Sequence, residues 1–388
     1  TIIDGWRLMS QVSSTPRIRD RYIAVHVDTG KQGILTLFQH GAEPDPSVYE
    51  VLQRLPRKHV VEIYATGRWN DHAYDVAEPL DGTLEDLGIV ATDLESIRRI
   101  VAELGEALHS FSEVGLRHRD IGPNTLLIRS REPLDLVIAG FDSARLSDFD
   151  LDIVSPLEVT RYMAPEAIAG GVAAASDWWS LGMVLLDQIT RGACFEGVNE
   201  RAYLIHVLAN GVTFPADLDP SIELLLRGLL ARDRHHRWQW QQVKAWLAGD
   251  PVAAPPRPAQ VDGDISGATL ALGNRNYAQP ALFALAAAEA GNWEQARDHL
   301  LRGTLITWVQ EVGTPDTALA RLRRVAQDQS LQEDFRLMLA LKVLNPEMPL
   351  IHRGDIVTPR WLLDHPLEGY ELVSGTVPDL LDQLDTET

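Results

Sequence analysis

Cysteine is nearly absent from this chain: Cys194 is the one cysteine among 388 residues. No intrachain disulfide framework and no cysteine-built metal site can form. The reading is a reducing compartment, the cytoplasm. Long apolar runs are lacking as well. No stretch approaches the roughly 18 consecutive apolar residues of a membrane-spanning helix, so no membrane span is expected. The start of the chain has no charged segment leading into an apolar core, so no secretory signal is expected. Basic charge is scarce: 35 Lys and Arg stand against 55 Asp and Glu, a formal net charge of −20. Such a surface repels phosphate backbones, and no nucleic-acid partner is expected. The densest basic run, Arg321–Arg324, reads as one face of a helix. Histidines His59, His235 and His236 lack companions at metal-ligand spacing.

What is present is an ordinary globular composition, 45% hydrophobic and 23% charged, long enough for a two-lobed domain with an extra one. Residues 1–78 are strand-rich. Tyr22–Val27 and Gly33–Phe38 flank an Asp28-Thr29-Gly30-Lys31 turn, a helix starts at Pro46, and Val60–Tyr64 and His72–Ala77 are further strand candidates. From about residue 92 the period becomes helical. Thr92 with Glu95 reads as a capping box, followed by a stripe of Ile97, Ile100, Val101, Leu104 and Leu108. Helical patterns recur at 176–191, 200–210, 220–231 and 239–248. Residues 250–267 are proline-rich and read as a linker. Residues 268–388 read as almost wholly helical, with helices at 280–290, 293–310, 315–327 and 332–344. One stretch, Ala286–Leu301, is similar to half of a tetratricopeptide hairpin, although no 34-residue period follows.

Four motifs stand in order: His118-Arg119-Asp120, Gly140-Phe141-Asp142, Met163-Ala164-Pro165-Glu166 and Asp177-Trp178-Trp179-Ser180. Arg237 follows further along the chain. Over residues 5–249 the set resembles the protein kinase superfamily, in its eukaryotic-like Ser/Thr form. The resemblance implies an α+β two-lobed fold, with a β-rich lobe over 1–78 and a helical lobe over 79–249, followed by an all-α domain. It assigns architectural roles to Glu50, His118, Arg119, Phe141, Glu166, Asp177 and Arg237, and a packing role to Leu127.

Kinase chemistry rests on positioning and on neutralising a triphosphate: a strand lysine, a helix glutamate, two metal ligands and an acceptor-side aspartate. Aligned with the family, the strand lysine is Thr36, the catalytic-loop lysine is Gly122, the metal asparagine is Thr125 and the metal aspartate is Gly140. Asn124 is one residue early and Asp142 two residues late, which leaves them as weak metal candidates. Lys31 lies in a turn, beyond reach of the phosphates. Residues 8–25 contain no glycine, so no Gly-rich loop covers the cleft. Asp120 is retained as a vestige.

The pattern resembles a bacterial-type pseudokinase: architecture kept, phosphate and metal grip replaced. The expected function is regulatory or scaffolding binding of a protein partner, with the helical region over 268–388 as an interaction module. No cofactor is expected, with room left for weak or metal-independent ATP binding. The alternative is a divergent active Ser/Thr kinase or kinase-fold transferase using Asp120. Asp148, Asp150 and Asp152 read as solvated acids, and Ser147, Ser155 and Thr160 as candidate phosphorylation sites. Among ten tryptophans, Trp178, Trp179, Trp238, Trp240 and Trp246 read as lobe packing, and Trp293, Trp308 and Trp361 as inter-helix packing.

Overall fold

A computed structural model describes residues 1–80, 82–88, 93–154, 157, 159–168, 170–195, 200–256 and 268–374. The chain opens with six strands: β1 (Ile2–Ile3), β2 (Trp6–Thr15), β3 (Arg19–His26), β4 (Gln32–Phe38), β5 (Ile63–Trp69) and β6 (His72–Ala77). They pair antiparallel in the order β1-β2-β3-β4-β6-β5. Alternation along the strands divides the sheet into two faces. One carries an apolar cluster of Ile3, Trp6, Ala24, Leu35, Tyr74 and Val76. The other carries Arg21, Thr36 and Asp75 as successive cross-strand partners. Helix α1 (Pro46–Leu52) starts on a proline, and the Asp45 side chain accepts the Ser47 N–H at 3.0 Å. The expected strand over 60–64 begins later. Val60 and Val61 instead run beside Ile138, buried against the second lobe.

The second lobe is built around α2 (Leu94–Glu113), whose stripe of Ile97, Ile100, Val101, Leu104 and Leu108 is buried as its periodicity predicts. Its N-cap is Asp93, which accepts the Ser96 N–H at 3.0 Å; Thr92 lies outside the described residues. Short strands follow: β7 (Leu116–Arg117), β8 (Leu126–Arg131), β9 (Leu134–Ile138), β10 (Arg145–Leu146) and β11 (Asp152–Ile153). β7 pairs with β10, and β8 with β9. Then come α3 (Pro165–Ile168), β12 (Gly171–Val172), α4 (Ala174–Thr190), α5 (Glu200–Asn210), α6 (Pro220–Leu229) and α7 (Trp240–Ala248). Helix α4 is buried on nearly every side, with Trp178 and Trp179 in the core beside Trp238 and Trp246. Arg129 of β8 joins the lobes. It donates to Glu78 at 2.5 Å, to the Val60 carbonyl at 2.8 Å and to the Arg57 carbonyl at 2.8 Å.

The C-terminal region is helical but not wholly so. Hairpin β13 (Leu270–Leu272) and β14 (Arg275–Tyr277) opens it, then α8 (Pro280–Ala287), α9 (Trp293–Leu301), α10 (Thr304–Glu311), α11 (Asp316–Gln327) and α12 (Glu333–Leu344). A second hairpin, β15 (Ile351–His352) and β16 (Asp355–Ile356), precedes α13 (Pro359–Asp364) and α14 (Pro366–Ser374). The helix expected over 293–310 is two, because Gly303 adopts φ +77° between them. Trp293, Trp308 and Trp361 are buried in this region's core. Ile205 and Ala209 of α5 belong to the same core, so the region packs on the helical lobe. Arg232 adds an ion pair to Glu347 at 2.8 Å. A cavity of about 1000 Å³ remains between the two, lined by Cys194, His206, Phe214, Tyr277, Leu282 and Leu285 among others. Of the expected linker, residues 257–267 lie outside the described residues; Ala253 before them accepts from Trp238 Nε1 at 3.3 Å.

Candidate functional site

The cleft between the lobes collects the motif residues. Asp177, buried in the first turn of α4, accepts the backbone N–H groups of His118 and Arg119, each at 2.9 Å. Those two bonds fix the catalytic-type loop, in which Arg119 adopts φ +71°. His118 is fully buried; its Nε2 lies 2.9 Å from the Ala139 carbonyl and its ring packs edge-on to Phe141 at 4.8 Å. Phe141 also meets Phe111 of α2. Leu127 lies half-buried in β8. Glu166 and Arg237 form a two-point pair at 2.5 and 3.1 Å. Ser176 donates to Glu166 at 2.8 Å, and the guanidinium lies over the Trp179 ring. Burial works against the Glu166 charge, but Arg237 holds its carboxyl below the usual range. The architectural positions thus form one buried scaffold behind the cleft.

At the phosphate and metal positions the side chains serve local structure. Thr125 Oγ1 accepts the Gly122 N–H at 3.0 Å and lies 3.0 and 3.2 Å from the Gly122 and Asp120 carbonyls. Gly140 has φ +78°, and a Cβ there would stand 2.8 Å from Thr125 Cγ2. The two positions therefore interlock: small threonine against glycine. Asn124 is exposed in the turn Pro123–Thr125, so this weak metal candidate is directed to solvent. Asp142, by contrast, is turned inward and pairs with Arg19 of β3 across the cleft. Lys31 lies over the Tyr64 ring at 3.1 Å, away from the cleft.

The expected helix glutamate needs correction. Glu50 lies on the exposed face of α1, whereas Tyr49, one position earlier, turns inward and donates to Asp75 at 2.7 Å. A one-residue step on a helix is about 100°, enough to exchange the two faces. Burial raises the Asp75 carboxyl to about 6, with Tyr49 and Thr36 acting in the other direction. Burial also pushes the Asp120 carboxyl above its usual range. It lowers the Arg119 guanidinium to about 10, with nearby Arg145 adding to the effect. Arg19, Arg21, Tyr49 and Asp75 went unnoticed as cleft residues in the sequence. The available signal was the alternation Arg19, Arg21 in a strand facing the Thr36 strand.

Of the flanking loop, Ser147 is buried and 3.3 Å from Asp152, Asp150 pairs with Arg234, and Thr160 is half-buried. Ser155 lies outside the described residues.

A strand-rich lobe over a helical lobe, with this motif scaffold at their junction, defines a protein-kinase fold. The family model for the protein kinase domain matches residues 47–246, just over half of the chain, and the chain belongs to that family. Among curated proteins it is similar to human ribosomal protein S6 kinase alpha-3, 27% identical over 144 residues, covering 37% of this chain and 19% of that protein. It is also similar to human ribosomal protein S6 kinase-related protein, 33% identical over 149 residues, covering 37% of this chain and 35% of that protein. The chain thus spans between about a fifth and about a third of the length of these relatives. Among the described residues, no helix is long and apolar enough to cross a membrane.

Proposed function

We propose that this kinase-family chain is a pseudokinase that acts by binding protein partners, with the helical region from 268 onward as a second module. One observation carries the reading: Thr125 and Gly140 interlock where two metal ligands would stand. Phosphoryl transfer depends on metal and cation charge placed around the triphosphate. Here the nearby carboxylate of Asp142 is held by Arg19, and Thr36 stands in the strand-lysine position. A fold stabilised by Glu166–Arg237 and by Asp177 persists without that chemistry, which leaves surfaces for binding.

The test is transfer of radiolabelled phosphate from ATP with Mg²⁺ or Mn²⁺, to the chain itself and to proteins that co-purify with it. No transfer above an Asp120→Ala control is expected. Metal-dependent transfer that disappears in that variant would instead favour a second reading, a divergent transferase. The observation behind that alternative is Asp120, retained in the cleft with its carboxyl pushed above its usual range by burial.

A further inference from the structure

A space of about 1000 Å³ stays unfilled between the helical lobe and the C-terminal region, and neither Asp120 nor Asp142 of the cleft takes part in its lining. Packed interiors leave few voids larger than a water molecule, whereas ligand pockets span about 300–1,000 Å³. Helix α8, with the sequence PALFALAA, shows why this space persists. Its Phe283, Ala284 and Ala287 are buried in the C-terminal core, while Leu282 and Leu285 leave the opposite side of the helix and line the cavity. A helix apolar on both sides is suited to cover on both, yet Leu282 is 48% exposed.

The facing wall comes from the helical lobe and is apolar too. Ile189, Ile205 and Leu218 line it and are buried. Tyr203 and Phe214 of the lobe and Tyr277 of β14 add three half-buried aromatic rings. Charge is confined to the rim, where Asp217, Arg275 and Glu289 are exposed. Among the described residues none of these three is in an ion pair. Desolvation lowers the His206 imidazole beside them, so it adds no positive charge near pH 7. Two carboxylates thus stand against one guanidinium, and the mouth is negative. A cation placed there gains from both carboxylates and from the faces of the rings. An anion meets the same carboxylates as repulsion.

We propose that this cavity is a binding site for a small amphipathic cation, with an apolar body between Leu282, Leu285, Ile205 and Phe214 and a positively charged head at Asp217 and Glu289. Such a ligand touches both walls and ties the helical lobe to the C-terminal region. The site goes beyond the partner-binding reading and does not depend on it, since no step in the cleft is involved.

Cys194, the one cysteine of the chain, lines the same cavity and makes its occupancy measurable. The experiment titrates the full chain with dodecyltrimethylammonium, dodecanoate and dodecyl maltoside, each below its micelle concentration. Calorimetry reads binding, and the rate of Cys194 alkylation by iodoacetamide reads where it occurs. Dodecyltrimethylammonium is expected to bind, to slow alkylation several-fold, and to bind roughly tenfold or more tightly than dodecanoate. The double variant Asp217→Asn/Glu289→Gln should lose that preference. Leu282→Asp should lose both binding and protection. The last variant adds negative charge, so a cation merely adsorbed to the acidic surface of this chain binds it no less well. Protection of Cys194 by none of the three probes, protection by dodecanoate equal to that by the cation, or undiminished binding to Leu282→Asp overturns the proposal. Thermal melts of the unliganded variants report their folding, and the double variant, confined to two exposed rim residues, carries the test should Leu282→Asp fail to fold.

Discussion

Asp75 is a carboxylate whose burial works against its charge. Its folded pKa, about 6, lies above that of an unfolded aspartate. The native state therefore holds the proton more tightly. The associated stability is fully present below about pH 4 and is lost as pH rises through about 6. At pH 7.5 the penalty amounts to up to about 3 kcal/mol. Asp75→Asn should raise the melting temperature at pH 7.5 and change it little at pH 4.5, as thermal unfolding across that range would show. An equal shift at both pH values would refute the account. Glu166 behaves in the opposite sense, since Arg237 keeps it ionised. Glu166→Gln leaves a guanidinium with no exposed side-chain surface unneutralised and should cost about 3–5 kcal/mol in urea unfolding. The double variant Glu166→Gln/Arg237→Met should lose less than the two single losses combined. These pairs were legible in sequence because the motif residues occupy known offsets. Arg21 and Asp75 were not, because nothing along the chain reveals that residues 21, 36 and 75 share one cross-strand row.

At the scale of elements, backbone geometry decides which motif position can carry which side chain. Gly140 opens a 3-10 turn with a left-handed φ, a conformation that costs other residues about 1–3 kcal/mol. Gly140→Asp restores the aligned metal residue in name only. Its Cβ meets Thr125 Cγ2, so chemical denaturation should show a loss of about 1–3 kcal/mol, and Mg-ATP should gain no affinity in calorimetry. Recovery of tight Mg-ATP binding by this single change would contradict the interlock. Helix α1 makes the complementary point. The hydrophobic spacing of Val48 and Leu52 located the helix, while its phase placed Tyr49 rather than Glu50 on the cleft. In α2 the stripe was strong enough for both location and phase to be read, and only the cap moved, to Asp93.

Across the whole molecule, the helical region from 268 onward packs on α5 and reaches Arg232. Ile205 is the most direct probe of that contact, being 3% exposed and part of the C-terminal core. Ile205→Asp places a charge in this junction and should weaken it by about 2–4 kcal/mol. Limited proteolysis should then cut faster within residues 250–267, and the isolated lobes should keep their own melting transition. Unchanged cleavage would show that the junction does not hold the two parts together. The three C-terminal tryptophans are spent on packing, so a partner surface on this region has to use other residues.

The sequence alone determined the family scaffold and the order of lobes. Those features are local, written in short motifs and in periods of 2 and 3.6 residues. Only the tertiary structure decided which charges occupy the cleft. Arg19 and Asp142 stand 123 positions apart, and no local pattern encodes that meeting. Alternation reveals that a strand has two faces; packing of the lobes decides which face looks into the cleft. For that reason Thr36 could be singled out along the chain, while Arg21 opposite it emerged only from the register of the folded sheet.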